Sequence, residues 1–349
     1  MTVSTYAVER ATWVSRLAGI VSLLLVAALI AAPWWAGRAN LRLLGEIYSF
    51  LALASLWNLL AGYAGLVSVG QQAFVGLGGY ILFAAAMFFG VPPLLAILLA
   101  GIIGALVALP LAPVLFRLQG AYFAIGTWVA AEVFRLSFAQ VSVLGGGSGT
   151  SLPAGIVASI AATREGRDMT VYWSALGLGV GILAAVYMIL RSRAGLALTA
   201  IRDNEIAAES LGVDIARTKL AIYVLTAGLT AMTGALIFLQ KLRISPDAAF
   251  SVNDWTAYVI FMVVIGGIGT IEGPLVGTLL FFLLRETLAD LGAIYLMLLG
   301  AAAVAVMLKA PKGLWGLFSS ATDITLFPIR RRVVRPDARR SFPAKGGPL

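Results

Sequence analysis

The feature that most constrains this chain is a series of long apolar runs that follow one another along almost its whole length. Many of them approach or exceed the ~18–20 residues that a helix needs to cross a bilayer. Hydrophobic residues make up 60% of the chain and charged residues 12%, whereas about a quarter of the residues in a soluble domain are charged. The alternating ~10-residue segments of a membrane β-barrel do not dominate the sequence. The sequence therefore predicts an all-α, polytopic helical membrane protein.

The apolar runs predict about 8–10 transmembrane or re-entrant segments. They lie near residues 17–36, 43–61, 73–90, 93–116, 120–140, 170–190, 220–240, 256–270, 273–289 and 291–308. Basic residues favour the cytoplasmic side of a membrane. With the N-terminus inside, that side receives 17 basic residues and the opposite side receives six. Both termini are therefore expected to be cytoplasmic.

The same pattern divides the chain into three parts. Residues 1–16 are expected to form an N-terminal cytoplasmic segment, residues 17–318 the transmembrane permease domain, and residues 319–349 a basic, disordered cytoplasmic tail. Residues 309–349 hold nine basic and two acidic residues, and so supply most of the net charge of +9. Juxtamembrane basic residues fix topology and contact anionic lipid, so this charge predicts membrane lipid as a partner and no nucleic acid. The tail has few apolar anchors, and residues after about 325 are expected to be dispensable.

Cysteine and histidine are both absent from the chain. Their absence excludes disulfides, thiolate or imidazole metal sites, and catalysis by histidine. The sparse acidic residues are not clustered as a carboxylate metal site would require. No nucleophile–base arrangement and no ATPase signature occurs either. The sequence therefore predicts a transport subunit that is not an enzyme and binds no metal or cofactor of its own.

Residues Arg191 to Lys219 form a charged island between two apolar runs, with five basic and four acidic residues in 29 positions. Charges this dense are too costly in hydrocarbon, so the island is expected in water beside the membrane. It carries Ala207 and Ala208, and Gly212 follows four residues later. A short amphipathic helix that ends in a glycine turn is suited to docking on another protein. The alternative is a solvated helix and turn that only joins two spans.

Two of the apolar regions are interrupted by glycine. Gly62 to Tyr80 reads GYAGLVSVGQQAFVGLGGY, and Gly266 to Gly277 reads GGIGTIEGPLVG. Glycine permits close helix contact and non-helical backbone, which is tolerated at membrane depth where protein or a wet cavity faces it. Such paired interruptions are typical of broken or re-entrant segments in transporters, although tight helix packing gives the same pattern. The polar residues in these regions and in the fifth segment are predicted to line a pathway: Asn58, Ser68, Gln71, Gln72, Thr127, Thr270 and Glu272.

The loop after the fifth segment, Leu144 to Pro153, reads LGGGSGTSLP. Glycine-rich backbone can cradle anions, but the P-loop lysine is absent and no strand precedes the loop, so the phosphate-binding pattern fails. The loop is instead predicted to face outward, as a flexible mouth or as a docking surface for an external protein. Its predicted contact residues are Gly145, Gly146, Gly147, Ser148 and Gly149. In the fifth segment itself, Glu132 and Arg135 are three positions apart, so an ion pair within the helix is possible.

Five stretches, in this order and spacing, give the chain a specific resemblance. They are NLLAGYAGLVSVGQQAFVGLGGY from Asn58, LQGAYFAIGTWVAAEVFR from Leu118, GGGSGTSLP from Gly145, SRAGLALTAIRDNEIAAESLGVDIARTKLAIYVLTA from Ser192, and GGIGTIEGPLVGTLL from Gly266. Together they resemble the LivM-type permeases of branched-chain amino acid ABC importers. The resemblance covers roughly residues 40–318.

This resemblance implies that residues 191–219 form the cytoplasmic coupling loop of an ABC permease. The usual form of that loop is Glu-Ala-Ala, three residues, Gly. Both alanines and the glycine match here, whereas Ile206 stands where the glutamate belongs and Glu205 lies one step earlier. The residues implied to fit a cleft in an ATPase subunit are Arg202, Asp203, Asn204, Glu205, Ala207, Ala208, Glu209 and Gly212.

The resemblance also implies the assembly and the function. The partners would be a LivH-type homologous permease, two cytoplasmic ABC ATPases that bind ATP and magnesium, and a periplasmic or lipid-anchored substrate-binding protein. The implied function is ATP-driven import of branched-chain or other hydrophobic amino acids across a bacterial or archaeal cytoplasmic membrane. Relatives of the same architecture move urea, short amides or aromatic compounds, and the sequence leaves these substrates open. A stand-alone secondary transporter is the alternative of another class; it would need interior acids, for which only Glu132 and Glu272 are candidates.

Overall fold

The computed structural model of the chain describes residues 7–9, 13–161, 163–288, 293–310, 312–322, 325–329 and 332–334. Helices dominate: α1 (Trp13–Ile30), α2 (Arg38–Asn58), α3 (Gln71–Phe88), α4 (Pro93–Leu115), α5 (Ala121–Ala139), α6 (Ala154–Ala158), α7 (Arg164–Arg191), α8 (Arg193–Asp203), α9 (Glu205–Ser210), α10 (Ile215–Lys241), α11 (Pro246–Ala249), α12 (Tyr258–Gly266), α13 (Glu272–Leu288), α14 (Ala293–Lys309) and α15 (Gly313–Thr322). The strands are β1 (Ala7–Glu9), β2 (Thr150–Ser151), β3 (Arg243–Ile244) and β4 (Arg332–Val334). Short π-helical turns lie at Leu59–Tyr63 and Asn253–Ala257.

Eight helical segments of the described chain are long and apolar enough to cross a membrane. They are Trp13–Ile30, Arg38–Tyr63, Gln71–Phe88, Pro93–Leu115, Arg164–Arg191, Ile215–Lys241, Pro246–Gly266 and Gly300–Thr322. The predicted polytopic all-α fold is thereby confirmed. The segments predicted near 120–140 and 273–289 form α5 and α13, which fall outside these eight. Glu132 and Arg135 lower the hydropathy of α5, and α13 has only 17 residues. The cytoplasmic position of the termini stays a prediction.

Helix α10 packs closely on α3 and α4, and glycine makes that approach possible. A Cβ atom on Gly78 would lie 1.9 Å from the carbonyl oxygen of Ala231, and one on Gly234 would lie 2.1 Å from that of Val75. Lipid tails are as apolar as the side chains, so helices in a membrane associate through close van der Waals contact at small residues. The α3–α10 contact is therefore a backbone contact that any larger residue would disrupt.

Helices α2 and α7 pack on each other, and both contact α10. The hydroxyl groups of Tyr48 and Tyr172 are 3.1 Å apart, and the Tyr172 hydroxyl also donates to the carbonyl of Leu29 at 2.7 Å. These bonds tie α1 to the α2–α7 pair. Gly179 lets α7 approach the backbone of Tyr48, since a Cβ there would lie 3.2 Å from the Tyr48 carbonyl oxygen.

The two ends of the bundle are defined by α10, whose 27 residues span about 40 Å. Helices α8 and α9 precede its first residue, Ile215, and mark the α8–α9 end. After its last residue, Lys241, the chain forms β3, which pairs antiparallel with β2, Thr150 lying opposite Ile244. This is the β2–β3 end. Strands β1 and β4 also pair antiparallel, so the first and last described segments of the chain lie together.

Replacing Gly234 with alanine is expected to destabilise the bundle, because the added Cβ would force α10 away from Val75. Overpacking of this kind costs about 1–3 kcal/mol. Thermal unfolding of the purified protein in detergent, followed by tryptophan fluorescence, measures the change. The matched control is Gly177→Ala on the exposed face of α7, where a Cβ would meet nothing within 4 Å. Equal melting temperatures for the two variants would show that α3 and α10 do not pack in this way.

Candidate functional site

Helices α8 and α9 form a corner whose shape is set by capping side chains. The Ser192 hydroxyl oxygen accepts a hydrogen bond from the N–H of Ala194 at 3.1 Å, at the start of α8. The Asn204 Oδ1 accepts one from the N–H of Ala207 at 3.1 Å, at the start of α9. Such caps satisfy first-turn N–H groups that have no partner within the helix. Asn204 has an extended backbone, which ends α8 at Asp203 and turns the chain into α9.

Helix α9 ends at a glycine in the left-handed region of backbone conformation. Gly212 has a φ of +83°, and its N–H donates to the carbonyl of Glu209 at 2.9 Å, while the N–H of Val213 donates to that of Ala208 at 3.1 Å. This pair of bonds is the Schellman arrangement at a helix C-terminus. A Cβ on Gly212 would meet nothing within 4 Å. Glycine is therefore favoured at this position because of its backbone conformation. The surroundings would have room for a side chain.

The outer surface of α9 and its C-terminal cap carries two large apolar side chains among polar ones. Ile206 and Leu211 are 79% and 81% exposed, whereas Ala208 is 1% exposed and anchors the helix. The Nζ of Lys219 lies 2.5 Å from Oε1 of Glu205, so this carboxylate is paired within the chain. These two exposed side chains are compatible with the contact surface that the sequence predicts, and that role stays a prediction. Ile206, which departs from the usual coupling motif, is thus one of the residues that α9 presents.

Arg202, near the end of α8, connects this corner to the membrane bundle. Its Nη1 donates to the carbonyl of Gly62 at 2.8 Å, and its Nε and Nη2 donate to Oδ1 of Asp203 at 2.9 and 2.8 Å. A Cβ on Gly65 would lie 3.6 Å from the Arg202 side chain, and one on Gly269 would lie 3.5 Å from its Nη1. Arg202 therefore lies against both of the glycine-rich stretches.

The two glycine-rich stretches meet at Asn58. Its Nδ2 donates to the carbonyl of Thr270 at 2.7 Å, and its Oδ1 accepts from the N–H of Gly269 at 2.8 Å. The backbones are so close that a Cβ on Gly62 would lie 2.6 Å from the Gly269 nitrogen. Helix α2 continues here as the π turn Leu59–Tyr63, a feature that is frequent at functional sites. We call this contact of Asn58 and Gly62 with Gly269 and Thr270 the glycine crossing.

The other polar residues predicted for a pathway lie inside the bundle, and most are bonded to it. Their hydrogen bonds join the Val69 N–H to Thr127, the Gly70 N–H to Ser68, Gln71 to the Leu53 carbonyl, and the Thr256 hydroxyl to Gln72. Among the described residues, Oε1 of Gln71 and Nε2 of Gln72 are buried without a partner. Ser68 and Gln71 line a small cavity together with Thr226 and Thr230. Their role in a pathway stays a prediction.

Glu272 is the first residue of α13 and is only 6% exposed. Its Oε1 accepts hydrogen bonds from the backbone N–H groups of Leu326 at 3.1 Å and Phe327 at 2.9 Å. The Phe327 ring packs on Tyr187 with ring centroids 5.9 Å apart. The expectation that the chain after about 325 lacks apolar anchors is therefore wrong for residues 325–329. Backbone donors leave no side-chain signature, so only the apolar Phe327 could have signalled this contact.

At the β2–β3 end, backbone contacts hold the loop that was predicted as an outer mouth. A Cβ on Gly149 would lie 2.0 Å from the Ile244 carbonyl oxygen, next to the β2–β3 pair. Arg135 joins this end to α5. Its Nη2 lies 2.6 Å from Oε1 of Glu132 in the same helix, and its Nη1 lies 2.7 Å from Oδ1 of Asp247 in α11. The Glu132–Arg135 pair is thus present, and Asp247 is an additional partner. The other predicted loop residues belong to two 3-10 turns, Ser142–Leu144 and Gly146–Ser148, which Gly145 connects.

A polytopic helical bundle with two interlocked, interrupted segments has the architecture of a membrane transport subunit. The comparison with protein families agrees: the family described as branched-chain amino acid transport system, permease component, matches residues 37–308. The chain belongs to this family of branched-chain amino acid transport permeases. It is a multi-pass membrane protein.

Individual relatives carry the same description. The high-affinity branched-chain amino acid transport system permease proteins LivM of Salmonella typhimurium and Escherichia coli are each 28% identical to the chain over 319 residues, which is 84% of this chain and 74% of theirs. The probable branched-chain amino acid transport permease protein LivH of Methanocaldococcus jannaschii is 21% identical over 214 residues, covering 59% of this chain and 66% of the relative. No solved structure matches the chain.

Shortening the chain after residue 322 is expected to lower its stability, because Glu272 loses both backbone donors and Tyr187 loses the Phe327 ring. A buried group left without its hydrogen-bond partner costs about 1–3 kcal/mol. The control is a chain that ends after residue 329, which keeps all three contacts. Thermal unfolding in detergent compares the two. If both truncated chains melt together, residues 325–329 do not hold Glu272 in the protein.

Proposed function

We propose that this chain is a permease subunit of an ATP-driven importer for branched-chain or other hydrophobic amino acids in a bacterial or archaeal cytoplasmic membrane. Its partners in this proposal are a LivH-type permease, two cytoplasmic ABC ATPases and an external substrate-binding protein. ATP and magnesium bind to the ATPases and not to this chain. Membership of the branched-chain amino acid permease family, and LivM relatives named as parts of high-affinity transport systems, support the substrate class.

The observation that carries the proposal is the exposure of two large apolar side chains, Ile206 on α9 and Leu211 at its C-terminal cap, while Ala208 is buried. A helix of six residues is too short to be stable by itself. The Asn204 cap and the Gly212 turn nevertheless hold it in place. A rigid small helix that presents apolar side chains suits insertion into a groove on a partner. In the proposed importer the partner is an ATPase, and α8 and α9 face the cytoplasm.

Arg202 and the glycine crossing then convert a movement of the ATPases into a movement of the bundle. Arg202 holds the carbonyl of Gly62, and Gly62 lies against Gly269. Glycine backbone has no side chain to lock it, so it can change conformation at low steric cost. For coupling to occur, the nucleotide-bound ATPases must favour one conformation of the permease over the other. The glycine crossing is where that preference enters the membrane domain.

The external binding protein delivers the substrate at the β2–β3 end, onto the loop of Gly145–Gly149 and the neighbouring strand β3. The two segments are joined by the β2–β3 ladder and by the bond from the Leu152 N–H to the Leu242 carbonyl at 3.0 Å. They therefore present one continuous surface. Substrate affinity resides mainly in the binding protein, so the pathway itself needs only an apolar lining with a few polar groups.

Replacing Gly212 with valine is expected to abolish substrate-stimulated ATP hydrolysis by the reconstituted importer, because valine cannot adopt a φ of +83° without strain. Asparagine tolerates the left-handed region, so Gly212→Asn is the matched control and should keep most of the activity. Insertion into the membrane should be the same for both variants. ATP hydrolysis that continues to respond to substrate in the valine variant would count against coupling through this turn.

The docking face can be mapped in the same importer, because the chain contains no cysteine. Single cysteines placed at Ile206 or Leu211 are expected to cross-link to an ATPase subunit, since both side chains are exposed. A cysteine at Ala208 is buried and should not react. Failure of both exposed positions to capture an ATPase in native membranes would overturn the proposed assembly.

A further inference from the structure

A charged cleft opens at the β2–β3 end, between the first turns of α2 and α7 and the last turn of α10. It belongs to neither the glycine crossing nor the α8–α9 corner. Its charged residues are Arg42, Arg167 and Asp168, and its apolar wall includes Val171, Leu239 and Leu242. A concave site with a mainly apolar wall and a few convergent polar groups is the usual form of a small-molecule site.

Asp168 is the most constrained group of the cleft. Its side chain is 12% exposed, and its Oδ2 is buried without a hydrogen-bond partner among the described residues. Its Oδ1 lies 3.7 Å from Nη2 of Arg42, which is too long for a hydrogen bond. A buried carboxylate oxygen without a donor is unfavourable. A primary ammonium group carries three donors on one compact charge and would satisfy it.

The two arginines of the cleft supply the opposite charge. Arg42 is 64% exposed, so its guanidinium can turn toward a ligand without leaving water, and Arg167 is half-buried beside Asp168. Arginine binds carboxylates and phosphates through two parallel N–H groups. The cleft therefore combines one largely buried carboxyl group with two guanidinium groups, an arrangement complementary to a zwitterion.

The apolar wall is built with backbone strain. Leu242 has a φ of +57°, and among the described residues it is the one non-glycine residue with positive φ. A leucine in this region is strained, and strain of this kind is concentrated at binding sites. The Leu242 carbonyl accepts the N–H of Leu152 at 3.0 Å. The strained wall is thus connected to the loop at which the proposed binding protein delivers substrate.

We propose that this cleft binds a zwitterion with a primary ammonium, an anionic group and an aliphatic chain. The ammonium donates to Asp168, the anionic group binds Arg42 and Arg167, and the aliphatic chain packs on Leu239 and Leu242. Two molecules share this chemistry, a free branched-chain amino acid and the headgroup of phosphatidylethanolamine. If the ligand is the amino acid, the cleft is a subsite at which the substrate enters the permease. This assignment rests on the proposed import function.

Saturation-transfer NMR with L-leucine tests the amino acid on the full chain in phosphatidylglycerol nanodiscs, whose lipid has no ammonium. Asp168→Asn and Arg167→Gln are each expected to weaken leucine binding by about tenfold or more. Arg164→Gln, on an exposed residue of the same helix that does not line the cleft, is the control and should change it by less than about twofold. N-acetyl-leucine lacks the ammonium and isoamylamine lacks the carboxylate, so both should bind more weakly than leucine.

Native mass spectrometry of the chain from phosphatidylethanolamine nanodiscs tests the lipid. A lipid retained by the wild type and by Arg164→Gln, but lost from Asp168→Asn, assigns the cleft to the headgroup. Leucine binding that depends on Asp168 assigns it to the amino acid. Melting curves of the variants show that they are folded. If neither ligand binds in a way that depends on Asp168, the proposal is overturned.

Uptake of radiolabelled leucine by the complete importer separates this proposal from the proposed function. Reduced uptake by Asp168→Asn at low leucine concentration, with the control unchanged, supports an entry subsite. If the wild-type importer takes up leucine, and Asp168→Asn changes neither uptake nor leucine binding, the proposed binding site in the cleft is wrong. The proposed import function is then unaffected. If leucine binding depends on Asp168 but the importer takes up no hydrophobic amino acid, the proposed import function is wrong. The proposed binding site in the cleft is then unaffected.

Discussion

The structure depends on one constraint: backbone polar groups at membrane depth must find their partners within the protein. The helices end at the π turn Leu59–Tyr63 that continues α2 and at Gly266 of α12. Beyond these points, N–H and carbonyl groups lose their helical partners. The two breaks lie against each other, and the Asn58 side chain supplies a donor to Thr270 and an acceptor to Gly269. The glycine-rich sequence lets the two backbones come close enough for this asparagine to satisfy backbone groups of the second break.

This arrangement explains how a movement at one end can reach the other. Helix α10 runs without a break from the α9 corner to strand β3, and its glycine contacts with α3 keep it rigidly packed. The glycine crossing adds irregular backbone beside Arg202. The bundle therefore combines a stiff rod with an irregular segment, and in the proposed function the α8–α9 corner acts on both. Rigid helices that rotate about a few irregular residues are a usual mechanism of domain movement.

Much of the fold could be predicted because it depends on local composition. The apolar runs identified the membrane segments, and the spacing of Ala207, Ala208 and Gly212 indicated a short helix with a glycine turn. The glycine content of the two interrupted stretches indicated irregular backbone or tight packing in each, but not that the two stretches contact each other. What escaped prediction depends on contacts distant in sequence. Glu272 binds backbone N–H groups of residues 54 and 55 positions later, and the Arg42–Asp168 cleft joins residues of two different helices.

The hydrogen bonds of the predicted pathway residues limit how such a bundle can open. Asn58, Thr127, Gln72 and Glu272 are all engaged with other parts of the chain. Leaving a buried group of this kind unpaired costs about 1–3 kcal/mol. Opening a passage by pulling several of these groups apart would therefore consume much of the free energy that a conformational switch can supply. The lower-energy route keeps the glycine crossing intact and moves the helices around it as rigid bodies. In the proposed importer, this argument makes the asparagine and the glycines a pivot beside which the substrate would pass.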